Sequence, residues 1–213
     1  MDMIRQTGIV AIMRAKSADN LLAAADALCA GGVLAIEVTI TTPGALTLVT
    51  QAVERFGASV AFGVGSVLDA ETARAAILAG AQFIVCPTVN RKTIQMCKRY
   101  SIGVMPGAYT PTEVLQAWEW GGDLVKLFPA DIGGPAYLRA IRAPLPQVHI
   151  AAVGGVDIQN TAAFIRAGAV AVGVGGSLVS QSLLDNRQFD VLRQRAQQFR
   201  QAVDEARQEQ KAV

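Results

Sequence analysis

Apolar residues in this chain gather in short blocks, separated by polar or glycine-containing stretches. Eight blocks recur: Ile9–Met13, Val33–Thr39, Val60–Val64, Phe83–Cys86, Gly103–Met105, Leu124–Phe128, His149–Ala152 and Ala169–Val174. Each is about strand length, and several are apolar at every position. Continuous apolarity, rather than alternation, predicts strands buried on both faces of a parallel sheet. Between the blocks the spacing turns helical. Leu21, Ala24, Ala25, Leu28 and Cys29 share one helical face, as do Leu46, Val49 and Val53, and Ala73, Ala76 and Ile77. Helix stops recur at Gly31-Gly32, Gly80, Gly121-Gly122 and Gly168, each just ahead of an apolar block. Helix starts recur at Ser17 with Asn20, Thr42-Pro43, Asp69 with Thr72, and Thr110-Pro111 with Glu113. From Phe189 to Gln210, residues Phe189, Leu192, Ala196, Phe199 and Val203 lie on one face of a last helix.

Counting from Gly31, the stops are 49, 41 and 47 residues apart, so each interval holds two strand–helix units. Eight strands alternating with helices predict one α/β domain over residues 1–213, a (β/α)8 TIM barrel. A doubly wound open sheet is the alternative this pattern leaves. No linker or low-complexity tract divides the chain.

Composition narrows the function. Apolar residues are 52% and charged residues 17%, which excludes a disordered chain. The formal net charge of +2 gives no electrostatic case for nucleic acid or an anionic membrane. Trp118 and Trp120 have no basic stripe around them, and they predict packing rather than nucleic-acid contact. The longest run worth testing as a membrane span, Ala167 to Leu184, is broken by glycines and serines and reads as strand, loop and helix start. Asp2, Arg5, Arg14 and Lys16 argue against a signal peptide. Cys29, Cys86 and Cys97 are odd in number, and they and the single histidine, His149, lack metal-ligand spacing. The expectation is a cytoplasmic protein without a metal; Cys86 is expected to be a buried structural thiol.

Two charged residues break the apolar blocks. Of the five lysines, Lys16, Lys92, Lys98, Lys126 and Lys211, only Lys126 falls within a strand, in Leu124-Val125-Lys126-Leu127-Phe128. Burial disfavours its ammonium form, and a neutral amine can attack a carbonyl carbon to form a Schiff base. The other reading is a snorkelling or ion-paired lysine. Glu37 ends the run Leu34-Ala35-Ile36-Glu37 at the strand end where barrels keep their chemistry. It could move protons, or pair with Lys126 or Arg14. Two glycine loops, Gly154-Gly155 after the seventh block and Gly175-Gly176-Ser177 after the eighth, allow close backbone approach to an anion such as phosphate.

Taken in order, these residues resemble a known family. The chain is similar to the class I aldolases for 2-keto-3-deoxy-6-phosphogluconate (KDPG) and 4-hydroxy-2-oxoglutarate (KHG). The resemblance runs through Gly8 to Ala15, Glu37-Val38-Thr39 with Thr42-Pro43, and Gly63 to Leu68. It continues through Pro106-Gly107, Thr110 to Glu113, Lys126 to Ala130, Gly154-Gly155-Val156 and Gly175-Gly176-Ser177. It implies a (β/α)8 barrel, a cytoplasmic homotrimer, a Schiff base on Lys126 and proton transfer by Glu37. It implies phosphate binding by Gly154, Gly155, Gly175, Gly176 and Ser177. Arg14, Thr39, Thr41, Ser66, Pro87, Phe128 and Val153 are the remaining expected substrate contacts. The implied reaction cleaves a 2-keto-3-deoxy-6-phospho sugar acid to pyruvate and glyceraldehyde 3-phosphate, with no cofactor beyond the covalent imine.

The sequence departs from the family pattern at three places. Thr41 stands where many members carry a carboxylate-binding arginine, and Arg14 could take that role or pair with Glu37. Ser66 replaces a threonine but keeps a hydroxyl. Val153 replaces a threonine, as in the variant acting on the galactonate epimer. Oxaloacetate decarboxylation or KHG cleavage through the same lysine, and a non-catalytic phosphosugar-binding barrel, are the competing expectations.

Overall fold

The computed structural model describes residues 1–211. Nine short strands form one sheet: β1 (Ile9–Met13), β2 (Ala35–Thr39), β3 (Ala61–Gly65), β4 (Phe83–Val85), β5 (Gly103–Met105), β6 (Gly107–Ala108), β7 (Val125–Leu127), β8 (Ile150–Val153) and β9 (Ala171–Val174). Every pairing is parallel, in the order β5-β4-β3-β2-β1-β9-β8-β7-β6. The two end strands are halves of one barrel strand, interrupted at Pro106. Proline has no N–H to give a ladder. Its carbonyl still accepts from Lys126 N at 2.9 Å, while Cys86 N donates to Met105 O at 3.0 Å. The sheet therefore closes through the fifth apolar block, and the barrel forms rather than the open sheet.

Helices α1 (Asp2–Thr7), α2 (Leu21–Ala30), α3 (Ala45–Phe56), α4 (Ala70–Leu78), α5 (Arg91–Arg99), α6 (Pro111–Glu119), α7 (Ala130–Arg142), α8 (Thr161–Arg166), α9 (Gln181–Asp185) and α10 (Phe189–Lys211) surround it. Among the described residues, no helix is long and apolar enough to cross a membrane. Local chemistry sets several boundaries. Asp69 accepts from Thr72 N to cap α4, and Thr110 with Glu113 forms a capping box around Pro111 on α6. Thr42-Pro43 behaves differently from expectation. Helix α3 begins only at Ala45, after Gly44, because Thr42 turns inward and bonds Thr39 and Ala15 N. Helix α1 was not anticipated: six residues are too few to show a period.

Side chains alternate along each strand between two apolar clusters. Ala11, Met13, Ile36, Val38, Val125, Leu127, Ile150 and Ala152 face the helices. Val10, Ala35, Phe83, Val85, Met105, Leu124, Ala151 and Ala171 fill the barrel, with Ile4 of α1 joining them from below. The barrel is narrow, and interior glycines make room. A Cβ at Gly63 would enter the Phe83 ring, and one at Gly173 would stand 2.8 Å from Val153 Cγ2.

Candidate active site

Glu37 and Lys126 occupy the same inward positions as these barrel-filling residues. On β2, Ala35 and Glu37 point inward; on β7, Lys126 does so between the outward Val125 and Leu127. Register sets their neighbours. Glu37 lies between Ile12 and Gly63, and Lys126 between Gly107 and Ala151. Three of these four neighbours are glycine or alanine, so the two long side chains have space above the apolar floor.

Both charged groups are deeply buried, Glu37 at 3% and Lys126 at 6% exposure. Both line a cavity of about 550 Å³ at the C-terminal end of the barrel. Among the described residues, no ion pair joins Lys126, Glu37 or Arg14. The ammonium nitrogen of Lys126 stands 4.6 Å from the centre of the Phe128 ring. Burial pushes the Glu37 carboxyl above its ordinary value, with the positive charges of Lys126 and Arg14 opposing it. A carboxyl displaced upward in this way holds its proton more readily and is suited to act as a general acid. Burial also pushes the Cys86 thiol up to about 12, which makes it a poor nucleophile.

The same cavity brings together Arg14, Ser66, Pro87, Phe128, Val153, Gly154, Gly155, Gly175, Gly176 and Ser177. Ser66 follows β3 with φ 60°, a left-handed conformation uncommon outside glycine. Gly154 and Gly155 also have positive φ, and a Cβ at Gly155 would run into Asp131. Gly175 and Gly176 differ, since a Cβ on either would meet nothing within 4 Å. The chain's own packing does not demand glycine there. Ser177 Oγ donates to Val156 O at 2.5 Å and ties the two glycine loops together.

Thr39 and Thr41 do not line this cavity. Thr39 is fully buried, and its hydroxyl bonds those of Thr41 and Thr42. Thr41 lies beyond the strand end and lines a separate, shallower groove at the start of α3. The cavity also includes Val156 and Gly173, which flank the glycine loops, and Ile12, Val179, Ser180 and Gln181, to which the sequence assigned no role. Ile12 could have been found from strand parity, since it faces inward two residues before Arg14. Gln181 gives no signal in sequence: it lines the site from the start of α9, where its Oε1 accepts from Lys16 N beyond the neighbouring strand β1. Among the described residues, no group of three or more His, Cys, Asp or Glu side chains is placed to hold a metal ion.

Comparisons with known proteins agree with this geometry. A family model described as "Aldolase: KDPG and KHG aldolase" matches residues 1–195. The 2-dehydro-3-deoxy-6-phosphogalactonate aldolase of Escherichia coli strain K12 is 34% identical, over 80% of this chain and 83% of that protein. The 2-dehydro-3-deoxy-phosphogluconate aldolase of Pseudomonas aeruginosa is 33% identical, over 76% of this chain and 73% of that protein. A solved structure described as native KDPGal superposes with a TM-score of 0.88 and 32% identity, covering 94% of this chain and 96% of that one. By barrel, by cavity and by these likenesses, the chain belongs to the KDPG and KHG aldolase family.

Proposed function

We propose that this protein is a Schiff-base aldolase that cleaves a 2-keto-3-deoxy-6-phospho sugar acid to pyruvate and glyceraldehyde 3-phosphate. One observation carries the reading: a buried lysine and a buried glutamate enter the same cavity as two glycine loops. The names of the two curated relatives support the substrate class. The cavity volume of about 550 Å³ suits a ligand of this size.

The chemistry runs through Lys126. Its neutral amine attacks the C2 keto carbon, and Glu37 protonates the departing hydroxyl so that water leaves the carbinolamine. The resulting iminium draws electrons from the C3–C4 bond. Glu37, through a water, takes the C4 hydroxyl proton as that bond breaks and the aldehyde leaves. The enamine left behind is protonated at C3, and hydrolysis of the imine releases pyruvate and the amine. The loops at Gly154-Gly155 and Gly175-Gly176-Ser177 hold the phosphate through backbone N–H groups. Arg14 takes the substrate carboxylate, since it lines the cavity and Thr41 does not. Val153 in the cavity wall favours the galactonate epimer, because it offers no hydroxyl to the sugar. The same reading takes residues 1–213 as one barrel domain in a cytoplasmic homotrimer. Its support includes one sheet holding every described strand, free cysteines, and exposed Ile132, Leu78 and Leu68 on the outer surface.

Incubation with pyruvate and borohydride, followed by peptide mass spectrometry, tests the reading. The expected adduct lies on Lys126. Lys126→Ala should give none and lose at least about 10³-fold in kcat while remaining folded. A wild-type protein that forms no adduct in excess pyruvate would overturn the Schiff-base assignment. An adduct with faster turnover of oxaloacetate than of phosphorylated keto-acids would make the protein a decarboxylase.

A further inference from the structure

Four buried side-chain polar atoms lack a hydrogen-bond partner among the described residues. Three of them belong to cationic or imidazole side chains: Arg5 Nε, Arg142 Nε and His149 Nδ1. These three side chains converge at the N-terminal end of the barrel, opposite the Lys126 cavity. Register brings them together. Val125 pairs with Ile150, and Ala151 with Ala171. The residues just before these, Leu124, His149 and Ala169, therefore lie side by side. Arg5 reaches from α1 and donates Nη2 to Asp123 O at 3.0 Å, on one side of His149. Arg142 ends α7 and lies against Gly168, on the other side. The Trp118 and His149 rings meet at right angles, with centres 5.5 Å apart.

Among the described residues, no carboxylate forms an ion pair with Arg5, Arg142 or His149. Asp123 offers Arg5 only its backbone carbonyl, because both its carboxylate oxygens are engaged: Oδ1 accepts from Lys98 Nζ at 2.8 Å and Oδ2 from Val104 N at 2.9 Å. Arg207 adds further positive charge where it donates to Arg5 O. Two guanidiniums with an imidazole between them, unpaired and half-buried, are costly unless an anion completes them. Burial first, then Arg5 and Arg142, holds the imidazole below its ordinary value. A planar guanidinium fork suits a polyatomic oxyanion better than a single point charge.

We propose that Arg5, Arg142 and His149 form a second binding site, for a small oxyanion of the phosphate type, on the face of the barrel away from the aldolase cavity. Both guanidiniums donate to the oxyanion, and the imidazole lying between them senses its charge, while His149 Nδ1 is itself sealed from solvent and makes no contact with the ion. The site does not depend on the aldolase reading, since it shares no residue with that cavity.

His149 is the only histidine in the chain, so its imidazole ¹H–¹⁵N signals report on this corner alone. The wild-type protein is titrated with inorganic phosphate, and with sodium chloride to the same ionic strength. A saturable movement of the His149 signals with phosphate, absent with chloride, is expected. Arg142→Gln and, separately, Arg5→Gln should each weaken that response by about tenfold, as removal of one charged donor pair does. A drift that never saturates, or that chloride reproduces, would overturn the proposal from the wild-type titration alone. Saturation that both folded variants retain unchanged places the ion elsewhere and overturns it as well.

Discussion

Replacing Gly65 by alanine tests whether turnover depends on where the barrel holds Glu37. A methyl at Gly65 would stand 2.6 Å from Glu37 Cγ, and closer still to its carboxylate. Ordinary contact begins near 3.4 Å, so Cγ must retreat by roughly 0.8 Å and the carboxylate by more. Gly65 does not have a left-handed backbone, so the perturbation is steric and not conformational. A displacement of about 1 Å at a reacting group costs on the order of 10²-fold in rate. Overpacking the barrel interior costs about 1–3 kcal/mol of stability. The expected outcome is a folded protein with a lower melting temperature and a kcat reduced about 10²-fold. Lys126 is not among the groups the methyl meets, so the pyruvate–borohydride adduct should still form at long incubation. Shortening the acid, Gly65→Ala with Glu37→Asp, should recover part of the lost kcat, because aspartate ends one methylene earlier. Pyruvate release from the phosphorylated substrate, measured continuously, supplies kcat. A Gly65→Ala enzyme within threefold of wild type would refute the idea that this glycine positions the acid, and with it the role given to Glu37.

Other perturbations read different parts of the molecule. Glu37→Gln should abolish most turnover and change the pH dependence of stability. The folded-state pKa of Glu37 is raised, so its contribution is complete below the unfolded value and is lost as pH rises through the folded one. Glutamine does not titrate, so the variant should gain stability relative to wild type across that window; denaturant melts giving a constant difference would count against the buried-acid account. Val153→Thr adds a hydroxyl to the cavity wall and should raise the gluconate-to-galactonate ratio of kcat/KM by about tenfold. An unchanged ratio would remove Val153 from the specificity argument. Arg207 donates to Gln6 O, Arg5 O and Val170 O, and so clasps the C-terminal end of α1 onto the barrel. Arg207→Ala should cost about 2 kcal/mol with kcat unaltered, read by denaturant melts and steady-state kinetics.

The sequence exposes Lys126 and Glu37 because charge inside an apolar run is costly and therefore conspicuous. It exposes the glycine loops because paired glycines after strands seven and eight are local signals. It does not reveal that Thr39 and Thr41 spend their hydroxyls on each other and on Thr42. Hydroxyl groups carry no sequence mark of whether they face a ligand or a neighbour. Gln181 lines the cavity and accepts from Lys16 N, 165 residues away along the chain, because β1 and β9 lie side by side. The split of the fifth strand at Pro106 was equally hidden, since Gly103–Met105 and Gly107–Ala108 read as one short block and a loop.

By itself the sequence determined the eight-fold strand–helix alternation and the two anomalous charged residues. Those follow from local composition, because propensity, capping and burial act over a few residues. Only the tertiary structure decided which face of each strand turns inward. A run apolar at every position looks the same from both sides, and closure of the barrel through Pro106 breaks that symmetry. Closure puts Lys126 and Glu37 in one cavity, gathers the glycine loops at its mouth, and aligns Arg5, His149 and Arg142 at the far end. Such meetings depend on register between strands far apart in the chain, which no local pattern encodes.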